Sequence, residues 1–455
     1  MRFPFCLLAF LMVLTAVVTA DDWRDVRKDA LRDARSEKSS ERESAFEPLR
    51  SQDHRDAVDF LVKFINSPSA DLQVKRHARD VLATFRSEES RGQLYRILRS
   101  DPDKSFLLLE AFAGMEDERG VEIGKLAIKA GVSKRSGGAP IIAAGIRCLA
   151  STGKPGETTV ASIIKRTADD CPITVRKAAV DSLLKIRTPE AVETLVSLVD
   201  DAAVGKRARH LMVQLAGEDV GASSADWQAW LKAEGEALPE SDPVSEQKAD
   251  ELIAAKTAAA IEAGEAPPEI TFYGVPIEGK KIVFVMDASS SMKGYPLERL
   301  KEECRALVGQ LPETHQFALV FYPKNENFPA ELHAADDETK KKAYEFINKR
   351  QVIRGTPTGD AMEFAYKRYV VGQNVDTIYL LSDGRPTKPI PDVIERIDNL
   401  NIGLYVNIHT IFIGEVPAAD AVARDPNAPI KSGAEFLREV ARRHEGKFSI
   451  VEAGK

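Results

Sequence analysis

The stretch Lys281-Ile-Val-Phe-Val-Met-Asp287-Ala-Ser289-Ser-Ser291-Met292 constrains this chain more than any other. Ile282, Val283, Phe284 and Val285 form a continuous β-branched and aromatic run, the pattern of a central parallel strand covered on both faces. Asp287, Ser289 and Ser291 follow at alternate positions. Leu297, Leu300, Cys304, Leu307 and Leu311 then recur at helical spacing. The oxygens therefore sit in a strand-to-helix loop. Open α/β sheets place ligands there, beyond the carboxyl ends of strands and near helix N-termini with free N–H groups.

Two later segments extend the pattern. Arg354-Gly-Thr356-Pro-Thr358-Gly-Asp360 is a turn-rich loop that leads into a helical run from Ala361 to Tyr369 and offers further hydroxyls. Thr377-Ile-Tyr-Leu-Leu-Ser-Asp383-Gly384 repeats an apolar strand ending in an acid and a glycine. Such a sheet would bring Asp287 and Asp383 together. At about 6 Å and an effective dielectric near 20, two carboxylates repel by roughly 3 kcal/mol, a cost that a cation between them relieves. Oxygen donors without Cys or His favour Mg²⁺, Mn²⁺ or Ca²⁺ over zinc or copper. The competing local reading of Asp-x-Ser-x-Ser is an N-cap and Asx-turn cluster at a helix start.

Asp287-x-Ser289-x-Ser291, Thr356 in Gly-Thr-Pro-Thr-Gly and Asp383 in Ser-Asp-Gly resemble, in order, the metal-ion-dependent adhesion site of von Willebrand factor type A domains. The resemblance spans roughly residues 269 to 453. It implies that Ser289, Ser291 and Thr356 coordinate a divalent cation, Mg²⁺ first with Mn²⁺ and Ca²⁺ as alternatives, while Asp287 and Asp383 act largely through water. It further implies that the remaining coordination position takes an Asp or Glu carboxylate from a protein partner. Ser290 departs from the glycine common there and should alter loop flexibility more than ligand chemistry. Lys293, Arg385 and Lys388 flank the expected site and read either as a rim that steers an acidic partner or as ordinary loop solvation.

The same region reads as a doubly wound, Rossmann-like α/β domain with parallel strands. Phe317 to Tyr322 is its second strand, Ala343 to Arg350 the end of a helix, and Asn407 to Ile413 a later strand. Ala434 to His444 is a closing helix before a short strand from Lys447 to Val451. Residues 415 to 431, with three prolines, read as a long surface loop.

At 455 residues the chain has room for two or three domains, and 44% hydrophobic with 29% charged residues is ordinary for a soluble globular protein. A formal net charge of −7 gives no support to nucleic-acid binding. Residues 1–20 read as a signal peptide: Arg2 precedes an apolar stretch from Phe3 to Ala20, and Val18-Thr19-Ala20 fits a cleavage site before Asp21. The expectation is export to a periplasmic, cell-surface or extracellular location, with an uncleaved N-terminal anchor as the alternative. Cys148 and Cys171 are candidates for a disulfide between neighbouring helices, and Cys304 reads as a buried free thiol.

Residues 21–236 read as helical repeats. Val74-Lys-Arg-His-Ala78-Arg-Asp80-Val-Leu82 and Val175-Arg-Lys-Ala-Ala179-Val-Asp181-Ser-Leu183 share one register, with Val204 to Met212 as a weaker copy. Spacings of roughly 30 to 35 residues, or multiples, imply stacked helix pairs and resemble HEAT-like repeats. An N-terminal α-solenoid is preferred over a compact bundle. Pro189 would open the second helix of one pair, and Trp227 and Trp230 would close the last repeat rather than stack a ligand. Residues 237–268, with four prolines around Ser245 to Ala263, read as a partly helical linker before the α/β domain at 269–455.

The chain holds no His-Glu-x-x-His motif, no Gly-Lys-Ser/Thr phosphate loop and no Gly-x-Ser-x-Gly elbow. No base is identifiable beside Ser289 or Ser291, and metal ligation explains both hydroxyls. The leading expectation is an exported, non-enzymatic interaction protein whose cation captures an acidic partner, with the repeats as a second surface. The alternative is a scaffold in which the repeats bind and the metal loop only stabilises. A hydrolase or lyase ranks below both.

Overall fold

The computed structural model describes residues 20–36, 39–134, 137–154, 156–234, 242–265, 270–414, 430 and 432–452. The leader read at residues 1–20 therefore lies outside the described residues except at its last position, and so does the loop at 415–431 apart from residue 430. No helix among the described residues is long and apolar enough to cross a membrane.

The N-terminal region is helical. Its helices are α1 Ala20–Asp33, α2 Ser39–Ser44, α3 Arg55–Ile65, α4 Leu72–Leu82, α5 Glu88–Ser100, α6 Phe106–Gly114 and α7 Gly120–Ser133. They continue as α8 Ala139–Leu149, α9 Glu157–Ile164, α10 Ile173–Ile186, α11 Pro189–Ser197, α12 Gly205–Ala216, α13 Ser224–Glu234 and α14 Glu246–Glu262. The three related sequence units fall on α4, α10 and α12. Between α10 and α11 the local chemistry follows the sequence closely: Arg187 takes a left-handed φ of 52°, the Thr188 side chain caps the next helix, and Pro189 supplies its first residue. Ala179, Leu183 and Leu195 are fully buried where these helices meet.

Trp227 is also fully buried, donates from its indole N–H to Gly221 O at 3.0 Å, and meets Trp230 edge-on at 5.8 Å. Helix α14, in the segment read as a linker, packs on α12. Ala249 is buried there, Val244 N–H donates to Gln214 O at 2.9 Å, and Arg207 pairs with Glu246.

The disulfide expectation is corrected: Cys148 and Cys171 are both free thiols. Cys148 is buried on α8 and points at α6, where its thiol donates to Leu109 O at 3.2 Å, whereas Cys171 is half-buried beyond α9. Cys304 is buried and free as expected.

The second region opens with a two-stranded hairpin, β1 Thr271–Phe272 and β2 Val275–Pro276. It then runs β3 Lys281–Asp287, α15 Tyr295–Gln310, β4 Gln316–Tyr322, β5 Glu326–Ala334 and α16 Asp337–Asn348. Helix α17 Thr358–Ala365 continues through a π-helical turn at Tyr366–Val370 into the short α18 Val371–Gln373. The remaining elements are β6 Thr377–Ser382, α19 Ile390–Asn401, β7 Asn407–Ile413, α20 Gly433–Arg443 and β8 Phe448–Val451.

The sheet order is β5-β4-β3-β6-β7-β8. All neighbours are parallel except β4 and β5, so the sheet is mixed and not wholly parallel as expected. The reason is local: only residues 323–325 join β4 to β5, too few for a crossover, so the chain must return as a hairpin. The hairpin strand was not anticipated because Glu326–Ala334 is polar and carries Pro329, composition suited to a sheet edge.

Alternation along β3 builds the two layers. Ile282, Phe284 and Met286 join the α15 and α16 core, while Val283 and Val285 join the core that holds α17 and α19. This second core is continuous with that of α8 to α13.

The helical region meets the sheet at the amino ends of its strands. Thr174 Oγ1 donates to Gly403 O at 2.9 Å, and Lys177 Nζ donates to Tyr405 O at 2.8 Å and Asn407 Oδ1 at 2.6 Å. Gly279 N–H donates to Ala202 O just before β3. Tyr405 OH donates to Glu110 Oε1 at 2.8 Å, and Glu110 also pairs with Arg79 and Arg147. At about 3.3 Å per residue, the carboxyl ends of β3 and β6 lie roughly 20 Å away on the opposite edge.

Candidate functional site

The carboxyl edge is built around Asp287, the last residue of β3, paired in register with Tyr322 at the end of β4. Asp287 is fully buried. Its Oδ1 accepts from Ser289 N–H at 2.7 Å, and its Oδ2 accepts from Ser382 Oγ at 2.6 Å and shares the single Tyr322 hydroxyl proton with Leu381 O, each 3.2 Å away. Burial pushes the Asp287 carboxyl up to about 6, against the hydrogen bonds from Ser382 and Ser289, and the Asp383 charge pushes the same way.

Past Asp287 the loop opens outward. Ser289 is buried, and a turn at Ser290–Met292 carries Ser291 to the surface. Ser289 Oγ and Ser291 Oγ are 2.9 Å apart, and Ser291 Oγ donates to Asp383 Oδ1 at 2.9 Å. Ser291 has one hydroxyl proton and gives it to Asp383, so Ser289 is the donor between the two serines. Asp383 is half-buried, and burial raises it above the ordinary carboxylate range against the Ser291 bond. Gly294, at φ 86° with no side chain to strain the left-handed turn, then leads into α15.

The third loop is stitched to the first by backbone. Ile353 N–H donates to Ala288 O at 2.8 Å, and Ser289 bridges Ile353. Thr356 and Thr387 hold each other: Thr356 N–H donates to Thr387 Oγ1 at 3.0 Å, and Thr387 N–H donates to Thr356 O at 2.9 Å. The structure thus links Asp287, Ser289, Ser291 and Asp383 through hydrogen bonds. Thr356 stands in the adjoining loop, tied to the segment after Asp383 and not bonded to the other four. Behind it, Thr358 is fully buried with an unpartnered hydroxyl.

Two participants escaped the sequence reading, Tyr322 and Ser382, which hold the inner oxygen of Asp287. Ser382 had a signal in its place beside Asp383. Tyr322 had none, because only strand register sets it against Asp287. Of the rim residues, Lys293 and Arg385 are exposed, while Lys388 lies 3.7 Å from Asp360, a carboxylate that Arg396 also holds. Lys388 is thereby drawn toward its own chain.

The donors suit a hard divalent cation: two carboxylates raised by burial, beside hydroxyls that face them. Among the described residues no group of three or more His, Cys, Asp or Glu side chains could hold a metal, so any cation here must draw on the hydroxyls. Among the described residues no imidazole hydrogen-bonds to Ser289 or Ser291.

The family model for the von Willebrand factor type A domain matches residues 281–421. Among solved structures, a von Willebrand factor type A protein from Catenulispora acidiphila is similar at 20% identity with a TM-score of 0.31. The match covers 39% of this chain and 40% of that one. No curated protein matches the chain.

Proposed function

We propose that the von Willebrand factor type A domain at residues 281–421 captures a protein partner through a divalent cation held by Ser289, Ser291 and Thr356 with Asp287 and Asp383. The observation that carries this reading is the hydrogen-bonded line Ser289–Ser291–Asp383 at the mouth of the buried Asp287. A cation bound there would offer an open coordination position to an Asp or Glu of the partner, with Mg²⁺ the first candidate and Mn²⁺ or Ca²⁺ the others.

The chain's own part is preorganisation. Tyr322 and Ser382 fix the inner oxygen of Asp287, the Ser289 amide fixes the outer one, and the 353–358 loop is pinned beside them. Exposed Lys293 and Arg385 add positive charge that draws an acidic partner. The protein acts as an exported, non-enzymatic adaptor. Its helical region, read as a HEAT-like solenoid, docks away from the cation edge and leaves that edge open to the partner.

The test is calorimetric titration of Mg²⁺ and Mn²⁺ into the chelator-stripped full chain, since the helical region covers the far edge of the sheet. Saturable one-site binding, lost in Ser291→Ala and Asp383→Ala variants of unchanged circular dichroism, is expected. Absence of binding by folded wild type, with and without acetate as a carboxylate probe, sinks the reading.

A further inference from the structure

A groove of about 360 Å³ between α7 and α9, on the helical region and apart from the cation edge, has no role in the function above. Its apolar surface comes from Ile128, Val132 and Leu149, and Val132 is 58% exposed, among the most exposed large apolar side chains described. Lys125, Lys129 and Arg166 line the same groove.

None of the three forms an ion pair or a side-chain hydrogen bond among the described residues, although Arg166 is half-buried. Elsewhere in the helical region, Arg79, Arg119, Arg147, Arg176 and Arg209 each meet a carboxylate. A half-buried guanidinium without an ion pair among the described residues, in one groove with two lysines, the partly buried Ile128 and the exposed Val132, is complementary to carboxylates that flank an apolar side chain. Thr158 and Ser162 add hydroxyl donors along the same wall.

We infer that this groove docks an acidic segment of a partner protein, seating an apolar side chain on Ile128, Val132 and Leu149 between carboxylates held by Lys125, Lys129 and Arg166. Three cations around an apolar floor, in a chain of formal net charge −7, do not make the continuous basic track that a nucleic acid requires. The contact needs no metal, so it stands independently of the cation site.

The experiment uses the full chain with excess chelator and a fluorescein-labelled peptide of alternating Glu and Leu, read by fluorescence anisotropy. Saturable binding is expected, weakened about tenfold or more by Lys129→Glu with Arg166→Gln and by Val132→Asp, and weakened by added salt. These positions are exposed or half-buried, and near-ultraviolet circular dichroism checks that the fold persists. Asp287→Ala should bind the peptide as wild type does, which separates this groove from the cation site. Three results overturn the inference: no saturation below about 1 mM, equal affinity in the groove variants, or displacement by inorganic phosphate as effective as by unlabelled peptide, which would mark a small-anion site.

Discussion

Gly403 tests whether the helical region is seated on the α/β domain through the contacts described. It is buried at φ 69°, its carbonyl accepts the Thr174 hydroxyl, and a Cβ added there would lie 2.7 Å from Pro140 Cβ and 3.2 Å from Phe106 Cζ. Gly403→Ala therefore carries two costs. The left-handed backbone costs an L side chain about 1–2 kcal/mol, and forcing a methyl into a packed contact adds about 1–3 kcal/mol. The expected destabilisation is about 2–5 kcal/mol. Gly274, at φ 77° with open space around its would-be Cβ, provides the comparison, and Gly274→Ala should show only the backbone part. Urea unfolding measures both, and hydrogen exchange should rise at 403–407 and in α6 and α8 only in the Gly403 variant. Equal destabilisation of the two variants, with unchanged exchange at those helices, would refute the reasoning.

Burial alone would raise the Glu278 carboxyl, but His409 Nε2 at 3.2 Å and the Lys206 and Lys447 charges overcome it and hold the carboxyl down to about 2. A carboxyl lowered by folding stabilises above its unfolded value and loses that contribution as pH falls through the folded one. Stability should therefore drop between about pH 5 and pH 2, by on the order of 3 kcal/mol from this group. Glu278→Gln should flatten that limb of a urea-midpoint profile, and an unchanged profile argues against the assignment. Burial pushes the Cys148 thiol up to about 12 and also raises Cys304, while Cys171 is only half-buried. Iodoacetamide on the native protein should thus label Cys171 well before the other two. A peptide mass showing Cys148 joined to Cys171 would contradict the free thiols.

Much of the fold was legible because its signals are local. The apolar runs at 282–285, 317–322, 377–382 and 407–413 all became strands, and the helical spacing after Ser291 became α15. Pro189 announced a helix start because its fixed φ suits a first helical position whatever the tertiary context, and the Thr188 cap beside it is equally local. The failures were of another kind. Strand β5 carries no strand signal in the sequence because an edge strand tolerates polar residues and proline, and its antiparallel sense follows from the shortness of a connection. Cys148 and Cys171 looked pairable on helical adjacency alone, but the direction in which Cys148 points was set by its packing against α6.

The candidate site divides along the same line. Asp287, Ser289 and Ser291 are placed by one strand running into one helix, so alternation and periodicity sufficed to determine that an acid and two hydroxyls share a loop at a sheet edge. That Asp383 accepts from Ser291 across 92 residues, that Tyr322 and Ser382 clamp the inner oxygen of Asp287, and that Lys388 turns to Asp360 were decided by strand register and loop packing. The seating of α6, α8 and α10 on residues 403–407, at the amino ends of the strands, was decided the same way. A periodic pattern states which face of an element is apolar. Which partner meets that face, and which buried oxygen finds a donor, depends on residues far apart in the chain that only the assembled fold brings within bonding distance.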